Sequence, residues 1–247
     1  MRVLVMGAAG FVGRPVLELL ESRHEVTGFD VRSVDGYPHV IQGDVLDYNA
    51  VGAVVEGCDA VVNTIMAPNN SYGHGVDRPG FTINVTGVLN LLEAARVHGI
   101  KRLVHTSSGA VLEGYLPATF MANDLYPLKA RGSYGLSKLL QEELLRNYQE
   151  QYDMSIAVIR PWGIIDAERM ITTDGDAVEH FSWGTIDRHD VASALVCALE
   201  AEDIDYECFH ITATPGGYRK TDVAKTEKQL GWKPGVTFNE DFGDMCI

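Results

Sequence analysis

An α/β fold, a doubly wound parallel sheet with helices on both faces, is what this sequence predicts. Two observations carry that reading. Short apolar runs alternate with helix-period segments at the spacing of βαβ units through residues 1–160. A glycine triplet also stands directly after the first apolar run and opens the first helical segment, where such folds make a tight turn. The length of 247 residues suits one large α/β domain or one domain with a small appendage. A chain of this size buries roughly 70–75% of its unfolded surface without a disulfide or metal.

The elements follow in order. Residues 2–7 (RVLVMG) read as a buried strand, and 11–22 as a helix with Val12, Val16, Leu19 and Leu20 as its apolar positions. Residues 25–30 (EVTGFD), 40–42 and 60–65 (AVVNTI) are further strands, the second running into GDVLD. Residues 82–98 carry Val85, Val88, Leu89, Leu92 and Ala95 at helical spacing, with Gly99 as the stop. A strand at 102–106 (RLVHT), a periodic helix at 134–152 and a strand at 155–159 complete the alternation. Regularity then fades, apart from a helix at 190–200, a strand at 208–211 and a small helix at 221–230. Residues 66–80 and 109–132 are rich in Gly, Pro and Asn and read as loops. In a doubly wound sheet such loops leave the carboxyl ends of strands, where ligands bind.

Composition narrows the function. The 34 acidic and 20 basic residues give a formal net charge of −14, which repels nucleic acid and anionic membranes, since binding there rests on Lys and Arg. Met1 leads straight into a strand, and no apolar run reaches the roughly 18 residues of a membrane span, so a cytoplasmic protein is expected. Cys58, Cys197, Cys208 and Cys246 lack the spacing of a zinc site; reduced thiols and no metal are expected.

Gly7-Ala8-Ala9-Gly10-Phe11-Val12-Gly13 fits GxxGxxG. Gly7 permits the turn, Gly10 the approach of a pyrophosphate and Gly13 close packing of helix on strand. The amides of the helix start then hold phosphate. Asp30 ends the next strand about 20 residues on, placed to accept from a ribose 2′-OH and to repel a 2′-phosphate. This Rossmann-type arrangement favours NAD over NADP, with Arg32 the residue that could meet a phosphate instead.

Tyr134-Gly135-Leu136-Ser137-Lys138 sets a tyrosine and a lysine four apart on one helix face. Free tyrosine, with a pKa of about 10, is a poor acid–base at neutral pH, and a nearby ammonium would lower that value. Ser107 and Ser108 end a strand on the ligand-binding edge, and Ser108 is placed to donate to a reacting oxygen.

With these motifs the chain resembles the extended short-chain dehydrogenases/reductases, the NAD-dependent epimerase/dehydratase family. GAAGFVG at 7–13, Asp30, GDVLD at 43–47, NVTGVLNLLEAAR at 84–96, TSSGAV at 106–111, YGLSK at 134–138, IRP at 159–161 and LGWKP at 230–234 carry the likeness. The resemblance implies that Asp44 and Val45 lie beside an adenine and that Lys138 also holds the nicotinamide ribose. It implies an asparagine near the active site at Asn84, and a homodimer paired through the helix bearing Tyr134. There Leu139, Leu140, Leu144, Leu145 and Tyr148 would supply apolar area.

The chain departs from the nucleotide-sugar enzymes of that family. Only residues 162–185 separate Arg160-Pro161 from IDRHD at 186–190, and the family's tyrosine after the RP pair is replaced by Trp162. A small substrate fits better: a free sugar, a sugar acid or a similar polyol. Among compact forms the chain is similar to the uronate dehydrogenases, whose Arg-Met pair matches Arg169-Met170, which makes Arg169 the candidate clamp for a substrate anion. Gly109-Ala110 stands where those enzymes have Asn-His. His189 reads as a helix-start residue.

The expectation is an NAD-dependent oxidoreductase moving a hydride between nicotinamide and a secondary alcohol or ketone. Tyr134 would be the acid–base, Lys138 its modulator, Ser108 the polarising donor, and Ser107 and Arg169 further substrate contacts. An epimerase that retains NAD and an NAD-binding redox sensor are the alternatives. Residues 1–160 would form the NAD-binding domain and 161–247 mostly a small substrate-binding region, with 186–212 returning to the core.

Overall fold

The computed structural model describes residues 1–67, 78–116, 122–123 and 126–239. Cys246 and parts of the two expected loops (68–77, 117–121, 124–125) lie outside the described residues. In chain order the elements are β1 (Arg2–Met6), α1 (Gly13–Leu20), β2 (Glu25–Asp30), β3 (Val40–Gln42), α2 (Tyr48–Val55), β4 (Ala60–Asn63), α3 (Arg78–His98) and β5 (Arg102–Thr106). A 3₁₀ segment (Gly109–Tyr115) precedes α4 (Gly132–Tyr152), β6 (Ser155–Pro161), β7 (Gly163–Asp166), β8 (Ile171–Thr172) and β9 (Thr185–Asp187). Then come α5 (Arg188–Glu200), β10 (Tyr206–Ile211), α6 (Pro215–Lys220) and α7 (Val223–Leu230).

Seven strands form one sheet in the order β10-β6-β5-β4-β1-β2-β3, every pairing parallel. Successive side chains of a strand point to opposite faces, so β1 feeds two cores. Val3 and Val5 pack with α1, α5 and α7 residues such as Leu17, Leu195 and Leu230. Leu4 and Met6 pack with α2, α3 and α4 residues such as Val51, Leu92 and Leu145. Helices on both faces force the strands to be apolar throughout, which is why they read as continuous runs. No described helix is long and apolar enough to cross a membrane.

Four features depart from the sequence reading. Helix α2 was not anticipated, although Asp47 caps it through the N–H groups of Asn49 and Ala50 and buries Val51, Val54 and Val55. Gly109–Tyr115, expected as loop, is a 3₁₀ helix capped by Ser108. The stretch after β6 holds a second sheet, β8-β7-β9, and Thr214 caps the unanticipated α6. Leu145 and Tyr148, considered for a dimer face, lie in the core beneath α4, while Leu139, Leu140 and Leu144 are partly buried. Residues 223–238 also close the main core: Val223, Leu230, Trp232 and Phe238 are buried there. The Asp190 carboxylate accepts the N–H groups of Gly235 (2.7 Å) and Val236 (3.0 Å), and the Trp232 indole donates to the Asp190 carbonyl.

Candidate active site

The glycine turn sits at the carboxyl end of β1. Gly7 has a φ of +80°, and a Cβ there would fall 2.9 Å from the Ile65 nitrogen. A Cβ on Gly13 would stand 2.0 Å from the Gly7 carbonyl oxygen, so only glycine lets α1 start this close to the strand. The N-cap of α1 is Val12, which provides no side-chain cap, and this leaves the amides at the helix start for an anion. Phe11 packs against the core, and the Arg188 guanidinium lies 5.3 Å from its ring centroid while pairing with buried Asp166 at 2.9 Å. A cation thus sits beside the turn, which sequence reasoning missed because the two segments are far apart in the chain.

Asp30 is buried at the end of β2. Its oxygens accept the N–H groups of Ala9 (3.0 Å) and Arg32 (3.0 Å). The Arg32 side chain folds back, donating to the Ala9 carbonyl (2.8 Å) with its Nε 3.5 Å from Asp30. Asp44 is exposed and accepts the Leu46 N–H, and Val45 is buried where a Cβ on Gly87 would meet it. An uncapped helix start, a cradle that side chains would fill and a carboxylate one strand over fit a dinucleotide.

Ser108, Tyr134 and Lys138 come together. Strand β5 delivers Ser108 at its carboxyl end, and α4 carries Tyr134 and Lys138 on its inner face, all three buried. Ser108 lies within reach of the Tyr134 phenol and favours its ionised form. The Lys138 ammonium donates to the Thr106 carbonyl at 2.9 Å. Burial pushes the Tyr134 phenol above its ordinary value, against the opposing pull of Ser108. The ammonium is engaged by Thr106, and burial lowers its own pKa to about 8 against the opposing pull of Glu142.

Ser107 points away from Ser108. Its hydroxyl donates to Glu142 at 2.5 Å, and Arg160 pairs with the same carboxylate at 3.0 and 2.6 Å. Glu142 follows Lys138 by four residues, so the face bearing Tyr134 and Lys138 extends a turn further than YxxxK suggested. Arg169 is exposed three residues beyond β7, its N–H on the Asp166 carboxylate, and no described contact joins it to Ser108 or Tyr134. His189 starts α5, with Nδ1 on the capping Asp187 at 2.9 Å. Asn84 is buried and its amide donates to Ser137. A Cβ on Gly109 would fall 2.1 Å from the Trp162 ring, which explains the small residue after the serine: Trp162 occupies the space that a side chain there would need.

A family model described as the NAD dependent epimerase/dehydratase family matches residues 3–211. A uronate dehydrogenase from Agrobacterium fabrum is 36% identical over 166 residues, 64% of this chain and 60% of that one. A UDP-glucose 4-epimerase from Mycolicibacterium smegmatis is 33% identical over 65% of this chain and 55% of its own length. The matched stretch thus spans less than two thirds of either relative. An L-arabinose 1-dehydrogenase (NAD(P)(+)) from Haloferax volcanii is 31% identical over 68% of this chain and 69% of its own. Among solved structures, a variant uronate dehydrogenase from Agrobacterium tumefaciens complexed with NAD is similar with a TM-score of 0.74 and 28% identity, covering 96% of this chain and 85% of that one. A short-chain dehydrogenase/reductase superfamily protein from the same organism, 22% identical, shares the fold with a TM-score of 0.83 over 96% and 93% of the two chains. The match runs from the first strand of the large sheet to its last, and the chain belongs to the NAD dependent epimerase/dehydratase family.

Proposed function

We propose that this chain is an NAD-dependent dehydrogenase acting on a secondary alcohol, ketone or hemiacetal carbon of a small sugar, sugar acid or similar polyol. The observation that carries the reading is the meeting of buried Ser108, at the carboxyl end of β5, with the Tyr134 phenol, with Lys138 one turn along the same helix face. In the oxidative direction Tyr134 takes the proton of the substrate hydroxyl while Ser108 steadies the oxygen. Nicotinamide, when bound, would supply the hydride chemistry. Lys138 holds the ribose and keeps a positive charge below the site. The glycine turn holds the diphosphate, and Asp44 and Val45 border the adenine.

Asp30 supports NAD over NADP, since a 2′-phosphate would meet its carboxylate. Arg32 already lies against that carboxylate, so the preference rests on the balance of the two. Asp30→Ala should narrow the preference, read as the ratio of dissociation constants; unmodified protein that binds NADP as tightly as NAD would overturn the assignment. A small substrate is supported by the second sheet, whose three strands tie together the ends and middle of the short stretch 163–187. The Trp162–Gly109 contact sets this site apart from the uronate dehydrogenase pattern, and Arg169 is the proposed clamp for a substrate anion. A cytoplasmic homodimer paired through α4 and α3 completes it; Leu89 and Val97 on α3 and Leu136 on α4 are exposed. A monomer by light scattering would contradict the dimer.

The test is a screen of aldoses, uronic acids and nucleotide sugars with NADH followed by absorbance. Net NADH from a free sugar or sugar acid supports the dehydrogenase. Turnover of a nucleotide sugar without net NADH would establish the epimerase, and NAD binding without turnover of any substrate the redox sensor.

A further inference from the structure

Five buried residues outside the proposed chemistry form a hydrogen-bonded line through the middle of the fold, linked by side chains except where Gln141 meets the main-chain carbonyl of Asn84: Asn63, His105, Gln141, Asn84 and Ser137 are each at most 2% exposed. Main-chain partners settle their orientation. Asn63 Oδ1 accepts the Ile65 N–H (3.1 Å), so its amide nitrogen faces His105 Nδ1 (3.1 Å). Gln141 Nε2 donates to the Asn84 carbonyl (2.7 Å), so Oε1 faces His105 Nε2 (3.1 Å). The imidazole therefore accepts at Nδ1 and carries its hydrogen on Nε2. Asn84 Oδ1 accepts the Ala67 N–H (2.9 Å), so its amide nitrogen donates to Ser137 (3.1 Å), whose hydroxyl donates to the Tyr134 carbonyl (2.8 Å). Every donor points the same way, from β4 to the first turn of α4.

The anchors of this line coincide with the parts of the site. Ile65 and Ala67 belong to the segment after β4, which flanks Gly7. His105 precedes Thr106, the carbonyl that holds Lys138, and the far end fixes the main chain of Tyr134. Burial and the Lys138 charge hold the His105 pKa at about 3, so the imidazole stays neutral and its tautomer does not change across the working range. If only stability were needed, apolar side chains of similar volume would serve as well, because removing both partners of a buried hydrogen bond is nearly neutral.

We propose that His105, through Gln141, Asn84 and Ser137, is a positioning residue that sets Tyr134 against Ser108. This rests on the reading of Tyr134 as the acid–base. Ser137→Ala cuts the last link by removing a single hydroxyl. His105→Phe with Gln141→Leu replaces the centre of the line by an apolar pair. Each should lower kcat by roughly tenfold to a hundredfold, the scale expected for a misplaced group, with KM and NAD affinity changed less than about threefold. The Tyr134 titration, followed by phenolate difference absorbance with Tyr134→Phe as reference, should move to higher pH as the Ser108 bond loosens. A merely structural line would lower the melting temperature and leave that titration in place. Folded Ser137→Ala with unchanged kcat and unchanged titration overturns the proposal. If Tyr134→Phe itself keeps full activity, the acid–base reading has failed, and the titration still reports whether the line positions the phenol.

Discussion

At Tyr134 two effects oppose each other. Burial favours the neutral phenol, and Ser108 favours the phenolate. Ser108→Ala should therefore shift the rising limb of the oxidation rate to higher pH, because a phenolate that loses its donor forms later. An unmoved limb in the pH–rate profile would exclude Ser108 from this role. Tyr134→Phe removes only a hydroxyl, so NAD binding should survive while turnover falls by roughly 10²–10⁴-fold, as steady-state kinetics and a binding titration can check. The Tyr, Lys and Ser of the site were legible because helix spacing and a strand end bring them together locally. His105 was not, since a lone histidine within RLVHT reads as a strand residue and its partners lie at Asn63 and Gln141.

Helix α4 concentrates the cost of the site. It buries Tyr134, Lys138 and Glu142 on one face, and Arg160 neutralises the last of them. The lysine is the expensive member: its pKa falls from 10.5 to about 8 on folding. Between these values the unfolded chain binds more protons than the folded one, so this group adds stability as pH rises through that window. Below about pH 8 its charge costs up to about 3 kcal/mol. Lys138→Met should consequently raise the melting temperature at pH 7 and abolish activity together, and calorimetry showing a lower value would refute this. The periodic helices and all seven strands of the large sheet were readable. The strands of the second sheet were not, because they lie outside the βαβ alternation that made even three-residue β3 legible. Helix α2 could have been found from Asp47 and the spacing of Val51, Val54 and Val55.

For the molecule as a whole, acid is the exposed flank. Burial keeps His105 neutral down to about pH 3 and places His210 well below its ordinary value. An unfolded chain takes up those protons near pH 6.5, so stability should fall as pH drops from 6.5 toward 3. The net charge of −14 works the other way, since protonating carboxylates relieves repulsion. Urea midpoints compared between the unmodified protein and the His105→Phe, Gln141→Leu variant separate the two. The variant should show the shallower loss between pH 7 and 5, and parallel curves would rule out the histidine contribution.

The latch between Asp190 and the turn at Gly235–Val236 bears on biosynthesis. Strands β1 to β5 can pair while the chain is still being made, but Trp232 covers a core that α5 and β10 have already left half open. Until residue 236 clears the ribosome, the Asp190 carboxylate and the apolar floor beneath Trp232 face water, and a nascent chain paused there is a client for holdase chaperones. Premature release at residue 231 would leave that floor bare, since Trp232, Gly235 and Val236 would all be missing.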